Sequence, residues 1–367
     1  MDSKGLAALA ALVGAAAAAL LASHRRGPRD GLGSNPEWYK EWLAEMNGKP
    51  RPTKALPAPA PAPKPSPKTS PPARHARALA PSATTPVPVD FALESRAPVK
   101  AGLPVPADLT SWVRGFDVIL INTSAGKDSQ AMMDYVYELA RKAGVESRIV
   151  AVHCDLGRAE WQGTKALAQR QAEHYGMRFE VVRRERDLLH QVELERKKWP
   201  DSQNRYCTSD QKTSQVVKLI TRLVRELDLD RPARILNCLG LRAQESPGRA
   251  KKPPLSQDSC SNGKRDVLRW LPIHAWTEQQ VWQRIKASGV DHHYAYDLGM
   301  PRLSCVFCVL ASKSALMLAA QHNPQLADEY IRVERAIGHR FTDKYSFEEL
   351  VEAARKAKVV KVEAWIG

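Results

Sequence analysis

Along the chain, the first hundred or so residues show no regular alternation of apolar and polar positions, whereas the remainder alternates strand-like and helix-like periods. The clearest strand is the β-branched and aliphatic run at 118–121, a pattern expected of a buried parallel strand. It breaks at Ser124-Ala125-Gly126, and helix formers occupy 130–141. Apolar runs at 147–153, 178–182 and 234–239 predict further strands, and the stretches 164–175, 215–227 and 325–337 predict helices. Such alternation predicts an α/β fold with a doubly wound parallel sheet and a smaller, mostly helical C-terminal part. Residues 108–320 are expected to form the main folded domain and 321–367 a helical extension.

The N-terminal third reads differently. Residues 6–22 are apolar but dominated by alanine, just short of the roughly 20 residues that cross a bilayer. Segment 1–24 is therefore expected to be a weak anchor or a dispensable extension. Arg25, Arg26 and Arg29 would hold the C-terminal bulk of the chain in the cytoplasm. Residues 25–107 hold most of the 26 prolines and read as a disordered, polyproline-like linker with a short amphipathic helix at 36–47. A membrane role beyond that anchor is not expected, and the localisation is expected to be cytoplasmic.

Charge narrows the partners. A formal net charge of +15 and a pI near 9.6 point to anionic partners, nucleotide or nucleic acid. Six cysteines in a chain of 367 residues do not make a disulfide scaffold, so reduced thiols are expected.

A strand, a small-residue turn and a helix N-terminus together make an anion site, because free backbone N–H groups and the positive end of the helix dipole converge there. Gly126-Lys127 is followed by Asp128 rather than Ser or Thr, which excludes the P-loop. Asp155, at the end of the second strand, and Gly240 to Arg249, after the fourth, also lie at carboxyl ends of strands, where open α/β sheets bind ligands.

The run Ser124-Ala125-Gly126-Lys127-Asp128-Ser129 resembles the pyrophosphate loop of the ATP pyrophosphatases, with Ala125 at the family's first glycine. This departure is mild if the φ of Ala125 stays negative. Arg205-Tyr-Cys207 through Lys212, then Gly240-Leu-Arg242-Ala-Gln-Glu245-Ser246-Pro-Gly-Arg249, resemble blocks of the phosphoadenosine-phosphosulfate (PAPS) reductase-like family within the adenine nucleotide α-hydrolase superfamily. The segments 270–282 and Gly299-Met-Pro-Arg302-Leu-Ser-Cys305-Val-Phe-Cys308 resemble two more. The resemblance implies a Rossmann-type layered sheet. Its implied ligand is ATP or a sulfonucleotide with Mg²⁺, held by Ser124, Gly126, Lys127, Asp128, Ser129, Asp155, Gly240, Arg242 and Arg249. Asp128 would hold Mg²⁺ or cap the helix. Asp155 would hold Mg²⁺ or a ribose hydroxyl, or would simply shape a turn.

Asp128, Lys212, Arg242, Glu245 and Cys207 are the implied catalytic residues. Cys207, Cys305 and Cys308 are the implied ligands of a 4Fe–4S cluster or zinc, with reactive thiols and inert packing as the alternatives. The family's reductases resemble one another in a C-terminal Glu-Cys-Gly segment, and no cysteine lies beyond Cys308 in this sequence. An adenylating ATP pyrophosphatase coupled to sulfur transfer is therefore the leading expectation. A divergent sulfonucleotide reductase and a non-catalytic nucleotide-binding module are the alternatives. A sulfur-donor protein or a thiol redox protein is the implied partner. DNA phosphorothioation, a setting in which relatives carry these blocks, would supply a nucleic acid.

Overall fold

The computed structural model describes residues 102–357, so the apolar segment, nearly all of the linker and the helix expected at 36–47 lie outside the described residues. Asp108 caps the first helix, α1 (Leu109–Val113), by accepting from the Ser111 amide at 3.0 Å. The chain then enters β1 (Val118–Thr123), flanked on both sides by parallel strands and buried along almost its whole length. Next come α2 (Lys127–Ala143), β2 (Ile149–Cys154), α3 (Thr164–His174) and β3 (Arg178–Val182). Gly144, in the left-handed region at φ 69°, ends α2 with its amide turned back to the Ala140 and Arg141 carbonyls.

Beyond β3 lie two π-helical turns, Gln191–Arg196 and Ser209–Thr213, the second running directly into α4 (Ser214–Leu227). Helix α4 buries Val216, Leu219, Ile220 and Leu223 on one face, against Val118, Leu120, Val150 and Ile235 of the sheet. The chain continues through β4 (Ala233–Leu239), β5 (Leu255–Gln257) and β6 (Arg265–Trp270). Strand order is β3-β2-β1-β4-β6-β5, parallel throughout except for β5, which runs antiparallel to β6. The fold is thus the expected doubly wound α/β sheet. Connections from β1 move outward to β2 and β3, then return across β1 to β4. The switch point therefore lies between β1 and β4.

Trp270 is better placed by the structure than by its spacing from Trp276 and Trp282. Near-helical spacing predicts three tryptophans packing a second subdomain. Instead Trp270 ends a strand, Trp282 lies in α5 (Glu278–Ser288), and all three join the principal core beside Trp112 and Tyr135. Trp112 meets Trp270 edge-on with 5.3 Å between ring centroids.

A second core lies under α6 (Lys313–His322), α7 (Pro324–Ile337) and α8 (Phe347–Lys356). Tyr330 stacks on Trp199 at 5.1 Å, and Phe307 meets Phe347 edge-on at 4.8 Å. Buried Glu334 accepts from the Phe341 and Phe347 amides, closing the turn between α7 and α8. Because Leu156, Trp161, Leu188 and Trp199 share this core, the helical C-terminal part packs with the sheet domain's own connections. The boundary expected at 320 falls inside α6. Among the described residues, no helix is long and apolar enough to cross a membrane.

One close approach ties the two halves of the sheet together. A methyl group at Gly240 would stand 2.9 Å from the Asp128 carbonyl group and the Ser129 nitrogen. Only a residue without a side chain lets the exit of β4 rest on the first turn of α2. Gly240→Ala is expected to destabilise the protein by about 1–3 kcal/mol, the usual cost of overpacking. An unchanged urea-unfolding midpoint would show that the two segments separate freely.

Candidate anion site at the sheet switch point

The loop after β1 is braced from within. The Ser124 amide donates to Ser129 Oγ at 3.2 Å, Ser129 Oγ donates to the Gly126 carbonyl at 2.9 Å, and the Ala125 amide donates to Thr123 Oγ1 at 3.2 Å. The Ser124 and Ser129 hydroxyls, 3.3 Å apart, thus shape the loop. Ala125 does not keep a negative φ: it sits at φ 56°, fully buried against Leu167 and Ala168. The left-handed conformation costs a non-glycine residue about 1–2 kcal/mol. Here the buried methyl contact offsets part of that cost.

Gly126 is the N-cap of α2 and provides no side-chain cap. The first-turn amides accordingly have no intrahelical acceptors. Asp128 does not cap the helix either. Its carboxylate accepts from Nε of Arg242 at 2.5 Å, and the Arg242 side chain is only 3% exposed. A second Arg242 nitrogen donates to Gln244 Oε1 at 2.8 Å, and the Arg242 amide donates to Glu245 Oε2 at 2.9 Å.

Glu245 in turn pairs with Arg249 and lies 3.4 Å from Arg302. Burial, and then the neighbouring Arg302, hold the Arg249 guanidinium below its ordinary pKa. Three arginines and two carboxylates thus gather beside the open end of α2, an excess of positive charge suited to a multiply charged anion.

Lys127 turns away from this space. Its ammonium is buried and donates to the Pro301 carbonyl at 2.7 Å. Asp155 shapes a turn, with Oδ1 accepting from the Gly157 amide at 2.8 Å and Oδ2 lying 3.5 Å from Lys165. Asp128 and Asp155 are thus each engaged by protein partners, Arg242 for the first and the Gly157 amide for the second.

The thiols form a separate neighbourhood. Cys207 and Cys305 both pack against the second core. Lys212, at the end of the second π-helical turn, is half-buried among Cys305, Cys154, Glu160 and Cys308. Burial works against the lysine's charge, but these groups more than offset it, so its pKa rises. Burial pushes the Cys305 thiol up to about 12 and Cys154 to about 11, and raises Cys207 as well.

Among the described residues, no group of three or more His, Cys, Asp or Glu side chains is arranged to hold a metal ion. The expected ligands Cys207, Cys305 and Cys308 are nonetheless neighbours, close enough to perturb one another electrostatically. His293, next to His292 in sequence, is a satisfied core histidine. It bonds Thr164 Oγ1 at 3.0 Å and the Ala295 amide, and burial lowers its pKa to about 3.

Sequence reasoning passes over Arg302 and Tyr296 as site residues. Arg302 stands inside a recognised block, so that block is its signal. Tyr296 has none: its hydroxyl accepts from the Lys127 amide at 2.8 Å, a contact that spans 169 positions.

The phosphoadenosine phosphosulfate reductase domain model matches residues 118–311, over half of the chain, and the chain belongs to that family. An uncharacterized 37.8 kDa protein of Escherichia phage 186 is 28% identical over 174 residues, 46% of this chain and 50% of that protein. The adenosine 5'-phosphosulfate reductase of Staphylococcus haemolyticus is 24% identical over 194 residues, covering 52% of this chain and 70% of the enzyme. The chain thus spans about half the length of the phage relative. Among solved structures, phosphoadenylyl-sulfate reductase from Candida auris aligns with a TM-score of 0.36 and 16% identity, over 54% of this chain and 86% of that one.

Removing the charge of Asp128 alone leaves Arg242 buried without its partner. Asp128→Asn is expected to cost about 3 kcal/mol in chemical denaturation, whereas a change below about 0.5 kcal/mol would mean that the pair is solvated. Alkaline pH probes the thiols. An unfolded thiol ionises near about 8.5, while folded Cys305 keeps its proton until about 12. Its contribution to stability is therefore intact below the first value and lost as pH rises toward the second. Cys305→Ser should flatten the fall in melting temperature between pH 8.5 and 10.5; an identical slope would place this thiol in water.

Proposed function

We propose that this protein is a nucleotide-binding enzyme that activates a substrate by adenylation and couples that step to sulfur transfer. The observation that carries the reading is the gathering of Arg242, Arg249 and Arg302 beside the N-terminal turn of α2, at the switch point of the sheet. The β- and γ-phosphates of ATP would lie against the loop 124–129, with any Mg²⁺ arriving on the nucleotide's own phosphates. An acceptor oxygen would attack the α-phosphorus, and pyrophosphate would leave with the bonding electron pair. Arg242, fixed by Asp128 and Gln244, would hold the charge that develops on that leaving group.

Cys207 is the proposed sulfur carrier. Its thiol is raised by burial, while Lys212 supplies the nearby positive charge that favours a transient thiolate. The sulfur donor would be a separate protein and the reaction cytoplasmic, where ATP is available. A second reading, reductive cleavage of a sulfonucleotide with electrons from a thiol protein, is favoured by the relative named adenosine 5'-phosphosulfate reductase.

The test is turnover of ATP labelled at the α-phosphate by the full chain, beside sulfite release from sulfonucleotides with a reduced thiol protein. AMP and pyrophosphate are the expected products. Asp128→Ala and Arg242→Ala, assayed as folded protein, should each lower turnover at least tenfold, about 1.4 kcal/mol of transition-state stabilisation. Sulfite without AMP formation from ATP would replace the leading reading by the second. Neither product would leave a binding module.

A further inference from the structure

We propose that Lys127 is a positioning residue rather than a nucleotide ligand: its buried ammonium staples the 296–303 segment onto the loop after β1 and so sets Arg302 at the anion site. The inference rests on the proposed nucleotide reading only for what Arg302 binds. Lys127 is 3% exposed, and its Nζ donates to the Pro301 carbonyl at 2.7 Å, the peptide oxygen immediately before Arg302. The ammonium also lies 5.3 Å from the centre of the Tyr296 ring and 3.5 Å from Glu278, whose side chain is half exposed.

The main chain of the same residue makes a second tie. The Lys127 amide donates to the Tyr296 hydroxyl at 2.8 Å, and the Leu303 amide reaches that hydroxyl at 3.4 Å. A methyl group placed on Gly126 would stand 3.4 Å from both Leu303 Cβ and the Tyr296 hydroxyl, so the segment lies directly on the loop.

Electrostatics explains why a staple is needed. Arg302 sits close enough to Arg249 to lower its pKa, so the two guanidiniums repel on either side of Glu245. The tie to Lys127 counters that repulsion on the segment carrying Arg302. Lys127 holds it by a neutral carbonyl, which fixes position without adding an anion to the site. To reach a phosphate, the lysine would have to give up that carbonyl and release the very arginine that the phosphate needs.

The test uses inorganic pyrophosphate as probe and the full chain. Lys127→Met and Arg302→Met should each weaken pyrophosphate binding about tenfold, and the double variant should be no more than about twofold weaker than either single one. Additive losses, on the order of a hundredfold in the double variant, would show Lys127 contributing its own charge to the ligand and overturn the proposal.

Hydrogen exchange without ligand is the independent arm. The Leu303 amide should exchange at least tenfold faster in Lys127→Met but at the wild-type rate in Arg302→Met. Unchanged protection in Lys127→Met would overturn the staple. Lys127→Gln serves for both arms if the Met variant does not fold. If the wild-type protein takes up no pyrophosphate, the nucleotide reading falls, and the exchange result alone decides the role of Lys127.

Discussion

The pairing of Asp128 with Arg242 is the constraint on which the site depends. Residues of the first helical turn after β1 and of the loop after β4 meet there, with the arginine withdrawn from water. A buried guanidinium is tolerable only with its hydrogens satisfied, which forces Gln244 and Asp128 into fixed places. Gly240 makes the meeting sterically possible, and the same Gln244 oxygen accepts from the Glu278 amide, so α5 is registered on the same spot. The site is thus a joint between two halves of a sheet, stiffened by charge.

The thiol neighbourhood is built on the opposite principle. Cys207 and Cys305 are held by the second core, where apolar contact and aromatic packing dominate. Burial keeps Cys305 protonated, and Lys212 is the cation brought among the thiols by a π-helical turn. That turn is cross-braced to its counterpart: Gln191 donates to Asp210 at 2.7 Å and accepts from Gln211 at the same distance. Wider turns of this kind commonly sit where a helix must redirect a functional side chain.

How much of this is legible in the chain depends on which forces leave a local trace. The strands β1, β2 and β4 are legible because buried parallel strands are rich in apolar residues: 118–121 is an unbroken apolar run, and 234–239 is apolar apart from Arg234 and Asn237. Strands β5 and β6 are not: one has three residues, and the other carries Arg265, Asp266 and Arg269 in its short span near the sheet edge. The blocks holding Asp128, Arg242, Glu245 and Cys207 stand out in the sequence, yet nothing in them says that the first two neutralise each other. Lys127 is expected at the nucleotide. Its real partner, the Pro301 carbonyl, is a main-chain atom and leaves no mark in the sequence.

Strand order has a consequence for how the protein must be made on the ribosome. β1 is central, yet its neighbour β4 begins at Ala233 and the arginine opposite Glu245 is residue 302. A nascent chain that has just extruded β1 to β3 carries an unpaired apolar edge on one side of its central strand. At the usual pace of synthesis, the wait for β4 lasts on the order of ten seconds. During that time α4, with Val216, Leu219 and Ile220 on one face, emerges ahead of β4 and can shield the sheet's surface before its edge is paired. The helix that caps the sheet in the finished molecule is, in order of birth, the first cover available to the half-made one.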